Sequence, residues 1–191
     1  MQNGYQTYQC KIIGATPLLC HNGLLADPVN PIVRMIKPIS GKRDKTESDY
    51  LEMSRLEWHG GLYLKDGKPC IPGEVIEACL MEAARKRKKG KQAQAGIIVP
   101  DDSLIEYDGP QDPAEMWESG DFIHKVGVKV QRNKVMRTRP IFKKWALSLE
   151  ILYLDSLLNK SEVESFVEIA GQIIGIGDWR PKFGRFSVET A

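Results

Sequence analysis

From Trp145 to Tyr153 every second residue is apolar, through Leu147, Leu149 and Ile151, and that period of two predicts a strand with one buried face. The first segment repeats the pattern, since Tyr8, Cys10 and Ile12 share one face of Tyr5–Ile13. Strands of this kind need a layer laid over the apolar side, and two segments with helical period supply it. Val75, Ile76, Cys79, Leu80, Ala83 and Ala84 form a stripe after Pro72-Gly73. Glu74 and Glu77 lie in its first turns and Arg85–Lys89 at its end, both favourable to the helix dipole. Val163, Phe166, Val167, Ala170 and Ile174 form a second stripe, for which Ser161 and Glu164 give a capping box.

Phe122–Val130 alternates through Val126, Val128 and Val130, and Arg132-Asn133-Lys134 turns it back as a hairpin towards Val135–Arg139. Ile97–Val99 and Arg185–Glu189 complete the strands. The order predicts an α+β fold, a ferredoxin-like or RRM-like antiparallel sheet with two main helices on one face, plus an inserted loop and a β-hairpin. All of 1–191 reads as one domain, because two separate cores in a chain of 191 residues would each be small. Residues 16–66 read as an insertion and 122–143 as the hairpin element. Within the insertion Pro17, Pro28, Pro31 and Pro38, with Gly23 and Gly41, predict an irregular path. Its apolar residues Leu24, Leu25, Val29, Ile32, Val33 and Ile36 require part of it to pack. Thr46 and Asp49 have capping-box spacing for a short helix to about Glu57, ended by Gly60-Gly61. Leu62–Leu64 and Asp66-Gly67 then read as a short strand and turn.

Several function classes fall away. No stretch approaches the length of a membrane span, and the opening MQNGYQTYQC lacks the charge and apolar run of a signal peptide, so the expectation is a cytoplasmic protein of a bacterial host cell with no membrane partner. The four cysteines, Cys10, Cys20, Cys70 and Cys79, form no CxxC pair, and Cys10 and Cys79 lie in apolar patterns that suit buried, inert thiols. His21, His59 and His124 are scattered with no metal-ligand spacing, so neither a metal nor a cofactor is expected. Asp27, Asp44, Asp49, Asp101 and Asp102 read as solvated loop carboxylates, and Ser40 and Ser103 have no base in view; an autonomous enzyme is the less favoured reading.

The net charge of +2 is unevenly placed. One basic group is Arg85, Lys86, Arg87, Lys88 and Lys89, with Lys91; another spans Lys125, Lys129, Arg132, Lys134, Arg137 and Arg139; a third is Arg180, Lys182 and Arg185. Each by itself reads equally as a solvated face, and the first as a helix end satisfied by its dipole. Together they point to a positive surface. The segment from Gly171 to Phe186 interleaves Gly175, Gly177 and Gly184 with Trp179, Phe183, Arg180, Lys182 and Arg185. Glycines allow close backbone approach and expose amides, the aromatics offer stacking faces and the cations neutralise phosphates, a mixture suited to a phosphodiester backbone. The opposing reading is a glycine-rich connection with Trp179 and Phe183 in the core. No GK[ST] ends the segment and its glycines follow a helix, so it is neither a P-loop nor a dinucleotide fingerprint. Gly73 opens a helix whose free amides suit an anion, although Glu74 opposes a strongly anionic ligand.

Three stretches resemble the RAMP superfamily, specifically the Cas7-like backbone proteins of CRISPR effector complexes: Ile13-Gly14 through Leu24-Leu25-Ala26-Asp27-Pro28-Val29; Cys70-Ile71-Pro72-Gly73-Glu74-Val75-Ile76-Glu77; and Ile174-Gly175-Ile176-Gly177-Asp178-Trp179-Arg180-Pro181-Lys182-Phe183-Gly184-Arg185-Phe186. The resemblance implies an RRM-like core that binds single-stranded RNA or DNA through the backbone, RNA preferred and without sequence specificity. It also implies self-association head to tail and CRISPR effector subunits as partners. By the same resemblance the hairpin near Arg132–Arg139 would act as a thumb, Gly73 and the Gly175–Gly184 loop would approach the RNA, and Asp27 would occupy the place of a target-cleaving aspartate. The chain reads as a stand-alone, phage- or prophage-encoded relative. Two alternatives stay open: a protein-interaction, viral structural or anti-defence protein imitating such a subunit, and a metal-dependent endoribonuclease using Asp27.

Overall fold

The structure, a computed structural model, describes residues 4–130 and 133–189. In chain order the elements are β1 (Tyr5–Gly14), β2 (Leu18–Leu19), a 3₁₀ turn at Gly23–Ala26, α1 (Pro31–Ser40), α2 (Glu47–Gly61), β3 (Leu64–Lys65), β4 (Lys68–Ile71) and α3 (Gly73–Lys86). Then come α4 (Gly90–Gly96), β5 (Ile97–Ile98), β6 (Ser103–Leu104), α5 (Pro113–Ser119), β7 (Ile123–Val130), β8 (Asn133–Phe142), β9 (Ala146–Leu154), α6 (Lys160–Ile169), a π turn at Ala170–Ile174 and β10 (Phe186–Glu189).

The main sheet has the order β10-β1-β9-β5 and is antiparallel throughout. With α3 joining β1 to β5 and α6 joining β9 to β10, this is the ferredoxin-like arrangement. The register explains the two alternating patterns together. Tyr8 faces Ile151, Cys10 faces Leu149 and Ile12 faces Leu147, so the apolar positions of β1 and β9 coincide on one side. Ile76, Cys79, Leu80, Ala83 and Ala84 of α3 and Val163, Phe166 and Val167 of α6 are buried in the same core. Fully burying one such Ile or Phe contributes roughly 1.5–3 kcal/mol, which is why the stripes fix where the helices lie.

The insertion departs most from expectation. Residues 31–40 form a helix despite two prolines, one at its first position and Pro38 inside it. Asn30 caps it, its side chain accepting from the amides of Ile32 and Val33. Pro31 stands where an amide would lack a helical partner in any case, and Pro38 falls in the last turns, where it removes little. Helix α2 runs on to Gly61, past the expected end at Glu57, and carries the fully buried Trp58, whose indole Nε1 donates to the Phe122 carbonyl at 2.8 Å. The Thr46–Asp49 capping box is present. Asp49's carboxyl is pushed down to about 2, first by the hydrogen bond from the Lys42 ammonium and then by that from the Thr46 amide.

The second capping box is displaced by two residues: Asn159 and Glu162 form it, while Ser161 donates to the Asn159 side chain. Asn is as good a cap as Ser, and the register of the buried stripe selects the earlier start. Two short helices were not expected. In α5 the signals were present, with Asp112 as N-cap, Pro113 at the first position and Gly120 left-handed at the end. In α4 no side chain caps the start.

Hairpin β7–β8 pairs from Ile123 opposite Pro140 to Val130 opposite Asn133. Its base is extended by β2, through Leu18 opposite Phe142 and Leu19 opposite Ile141. Arg132, expected in the turn, lies outside the described residues. All four cysteines are free; Cys20, Cys70 and Cys79 are buried and Cys10 is half-buried. Burial pushes the thiols of Cys20 and Cys79 up to about 12 and those of Cys10 and Cys70 to about 11, so they hold their protons at neutral pH. Among the described residues no helix is long and apolar enough to cross a membrane.

Candidate nucleic-acid interface

The loop that follows the π turn is held by its own backbone. The amide of Asp178 donates to Leu19 O at 2.7 Å, that of Gly184 to Pro17 O at 2.8 Å, and that of Ile176 back to Gly184 O at 2.9 Å. The Arg185 amide donates to the Thr16 hydroxyl. Gly184 has φ 75°, and a Cβ there would lie 1.7 Å from Ile176 O; Gly177 has φ 82°, and a Cβ would lie 2.5 Å from Leu19 O. The close approaches expected of these glycines are therefore made to the protein's own chain. The amides expected to face a ligand are in large part already paired, and recognition at this loop falls to side chains.

Trp179 is the side chain most clearly offered. It is 41% exposed and its backbone is left-handed, at φ 54°, a conformation that costs an L-residue about 1–2 kcal/mol and needs surrounding contacts to hold it. Its ring lies 5.8 Å from Phe183 and 6.2 Å from His124, and the Lys182 ammonium sits 5.0 Å above it. Phe183 differs from the expectation of a stacking face. At 8% exposure it is buried in a small cluster with Leu19 and Ile141, and it seats the loop on the hairpin base.

Around Trp179 the fold gathers one part of each basic group. A recess on one side is lined by Lys86, Trp179 and Arg180; another, against the hairpin, by Lys129, Arg139 and Trp179; Asp178 borders both. Arg139 pairs with Asp178 at 3.1 Å and Arg180 with Glu82 at 3.2 Å. These carboxylates orient the guanidinium groups and dilute their charge, yet the cations outnumber them along the line.

The other candidates are placed elsewhere. Arg85 and Lys88 border a separate recess beside Lys91. Arg87 donates to Ser165 and Lys89 pairs with Glu162, both towards α6. Arg137 is tied to Glu57 at 2.9 Å, Lys134 lies across Gly127 on the hairpin, and the Arg185 guanidinium donates to Pro181 O. Gly175 packs against Phe183 O. Gly73 packs against Val99 O, and its amide donates to Asp102 at 3.1 Å, so α3's first amide has a carboxylate of the same chain as its partner. Asp27 closes a turn by accepting from the Val29 amide at 2.9 Å. Among the described residues no group of three or more His, Cys, Asp or Glu is placed to hold a metal ion.

Two of the histidines that show no metal-ligand spacing in the sequence, His21 and His124, lie beside the loop, a placement for which their sequence neighbours give no signal. His124, against the rings of both Trp179 and Phe183, and His21, beside the loop, each enclose an Nδ1 with no hydrogen-bond partner. Burial, and then Arg139 with Lys182, pushes His124 below the usual imidazole range. Burial also pushes His21 down, with Asp178 opposing.

Fold and site together define an α+β, ferredoxin-like protein with a β7–β8 hairpin and a cationic, aromatic loop beside it. Comparison with protein families and with curated proteins gives no match. Among solved structures the chain is similar to Cmr6 from Pyrococcus furiosus, at 10% identity and a TM-score of 0.44, over 97% of this chain and 99% of that one. The likeness is a coarse one of chain path.

Proposed function

We propose that this chain binds single-stranded nucleic acid, RNA in preference, along the line from Lys86 through Arg180 and Trp179 to Lys129 and Arg139. The observation that carries the reading is Trp179: a large aromatic held exposed in a left-handed backbone, with a lysine over its face and arginines on both sides. A base stacking on Trp179 displaces the flexible Lys182 side chain towards the adjoining phosphate, where its charge is of use. Readout is of backbone and stacking, so binding is tolerant of sequence. Fluorescence anisotropy of labelled single-stranded RNA and DNA of mixed sequence, titrated with nuclease-treated protein at two salt concentrations, tests it. The expected result is salt-sensitive binding that weakens when Arg180 and Lys182 are changed to Ala; absence of binding at low salt overturns it.

A second reading, contact with a further copy of the chain or with a protein partner, is favoured by the insertion. Leu24, Val29, Met35, Tyr50 and Leu51 are exposed there, and α1 has no buried residue. Light scattering with and without Met35→Glu measures that contribution.

A further inference from the structure

Beside the Trp179 line, and sharing Arg180 with it, a recess of about 430 Å³ lies between the start of α3 and the C-terminal loop. Its walls are Tyr63, His21, Glu74, Val75, Asp178 and Arg180. We infer that this recess is a ribose site, in which Glu74 accepts a hydrogen bond from the 2′-hydroxyl and so selects RNA over DNA. The inference rests on the proposed nucleic-acid binding and adds the sugar to it.

The lining narrows the choice of ligand. Glu74 and Asp178 place two carboxylates there, so an anion such as phosphate is repelled from the interior and belongs at the rim, with Arg180. A cation is opposed by Arg180 in the wall and by Arg139, which is paired to Asp178. What suits the interior is a neutral group that donates hydrogen bonds, has an aliphatic face for Val75, and is attached to a phosphate. A ribose has all three, and its 2′-hydroxyl is the donor that deoxyribose lacks.

The recess is also built rather than incidental. The Tyr63 hydroxyl donates to His21 O at 3.0 Å and the Asn22 side chain to Leu62 O at 3.0 Å, which together fix the segment carrying His21 to the end of α2. Burial pushes the imidazole below its usual range, with Asp178 opposing. Its Nδ1 is enclosed without a partner, and an unpaired acceptor is tolerated better there than an unpaired N–H, so the proton belongs on Nε2 as a donor. Carboxylate and imidazole thus offer an acceptor and a donor to a hydroxyl that is both.

The test compares the wild-type chain's affinity for one single-stranded sequence made three ways: with ribose, with 2′-deoxyribose and with 2′-fluororibose. The fluoro sugar keeps the pucker of ribose but has no proton to donate. The ribose strand is expected to bind about tenfold more tightly than either of the others, the worth of one hydrogen bond to a charged acceptor. In Glu74→Ala the preference falls to near unity, with deoxy binding unchanged or tighter because a negative charge is gone. Glu74→Gln, which keeps an acceptor, retains part of it. Glu74 is exposed, so both variants keep the fold. Equal affinity for all three strands overturns the ribose site and leaves the proposed binding standing. A fluoro strand that matches ribose assigns the preference to pucker and likewise overturns it. No binding to any strand removes both.

Discussion

The open face of the main sheet and the loop beside the hairpin are the two surfaces on which a fold of this kind could carry a polynucleotide, and they are built on opposite plans. On the sheet, the central strands β1 and β9 turn Gln9, Lys11, Ser148 and Glu150 outward, and these pair among themselves. Gln9 donates to Glu150 at 3.0 Å, and Lys11 and Ser148 both reach Glu106, at 2.6 and 2.9 Å. Those four positions carry no aromatic ring, the outward ring of β1 being the half-buried Tyr5 at the strand's start, and the Lys11 ammonium is already matched by Glu106. At the loop, an exposed indole is surrounded by cations drawn from three distant stretches of chain. A sheet face is legible to itself, because cross-strand neighbours can complement each other. A loop seated on a hairpin base leaves charges that its own surroundings satisfy only in part.

The largest effect separates how the two regions are held. Gly184→Ala should destabilise the protein by on the order of 3 kcal/mol in chemical denaturation, because φ is positive and the new Cβ meets Ile176 O. Ser187→Ala, exposed on the sheet, should cost under about 0.5 kcal/mol. Next in size, reversing Lys129, Arg180 and Lys182 together to Glu should weaken binding at low salt by on the order of a hundredfold. The same reversal of Lys11, on the sheet, should change it less than about twofold. Comparable losses from the two would erase the distinction.

Smaller again, Trp179→Ala should cost about tenfold in affinity, the worth of one stacked base, with thermal stability little changed. Smallest is the response to acid. His21 and His124 both have folded values below the ordinary imidazole, with burial as the first cause. The unfolded chain therefore takes up protons near pH 6.5 while the folded loop resists them, so stability is full above that pH and declines as pH falls towards the folded values. Amide protection factors, corrected for the intrinsic pH dependence of exchange, should fall in the 177–183 loop below pH 6.5 before those of β1 and β9. Simultaneous loosening of both would contradict it.

Much of the fold was legible because it is periodic. The alternation in Tyr5–Ile13 and Trp145–Tyr153 and the stripes of α3 and α6 each describe one face of one element, and burial demands that those faces meet. The helix at 31–40 was not, since its two prolines mask in sequence the stripe of Ile32, Ile36 and Ile39 on a helix that packs against α2. The site was legible by half. The glycine, aromatic and basic mixture around Trp179 marked the right loop, but which cations join it depends on where the chain turns. Lys86 comes to Trp179 while Arg85 and Lys88 face another way, a consequence of helix phase at the end of α3. Phe183 and Trp179 look alike in sequence and differ in the structure because only Phe183 faces Leu19 and Ile141.

The most direct measurement is photocrosslinking of single-stranded RNA carrying a diazirine on its bases, which inserts into whichever side chain lies beside it, with the attached peptides identified by mass spectrometry. Adducts should fall on Trp179 and its neighbours in the 177–183 loop and on the facing strand β7 near Lys129. Adducts concentrated on β1 and β9, around Lys11 and Glu150, would place the nucleic acid on the sheet and contradict the assignment of binding to the loop.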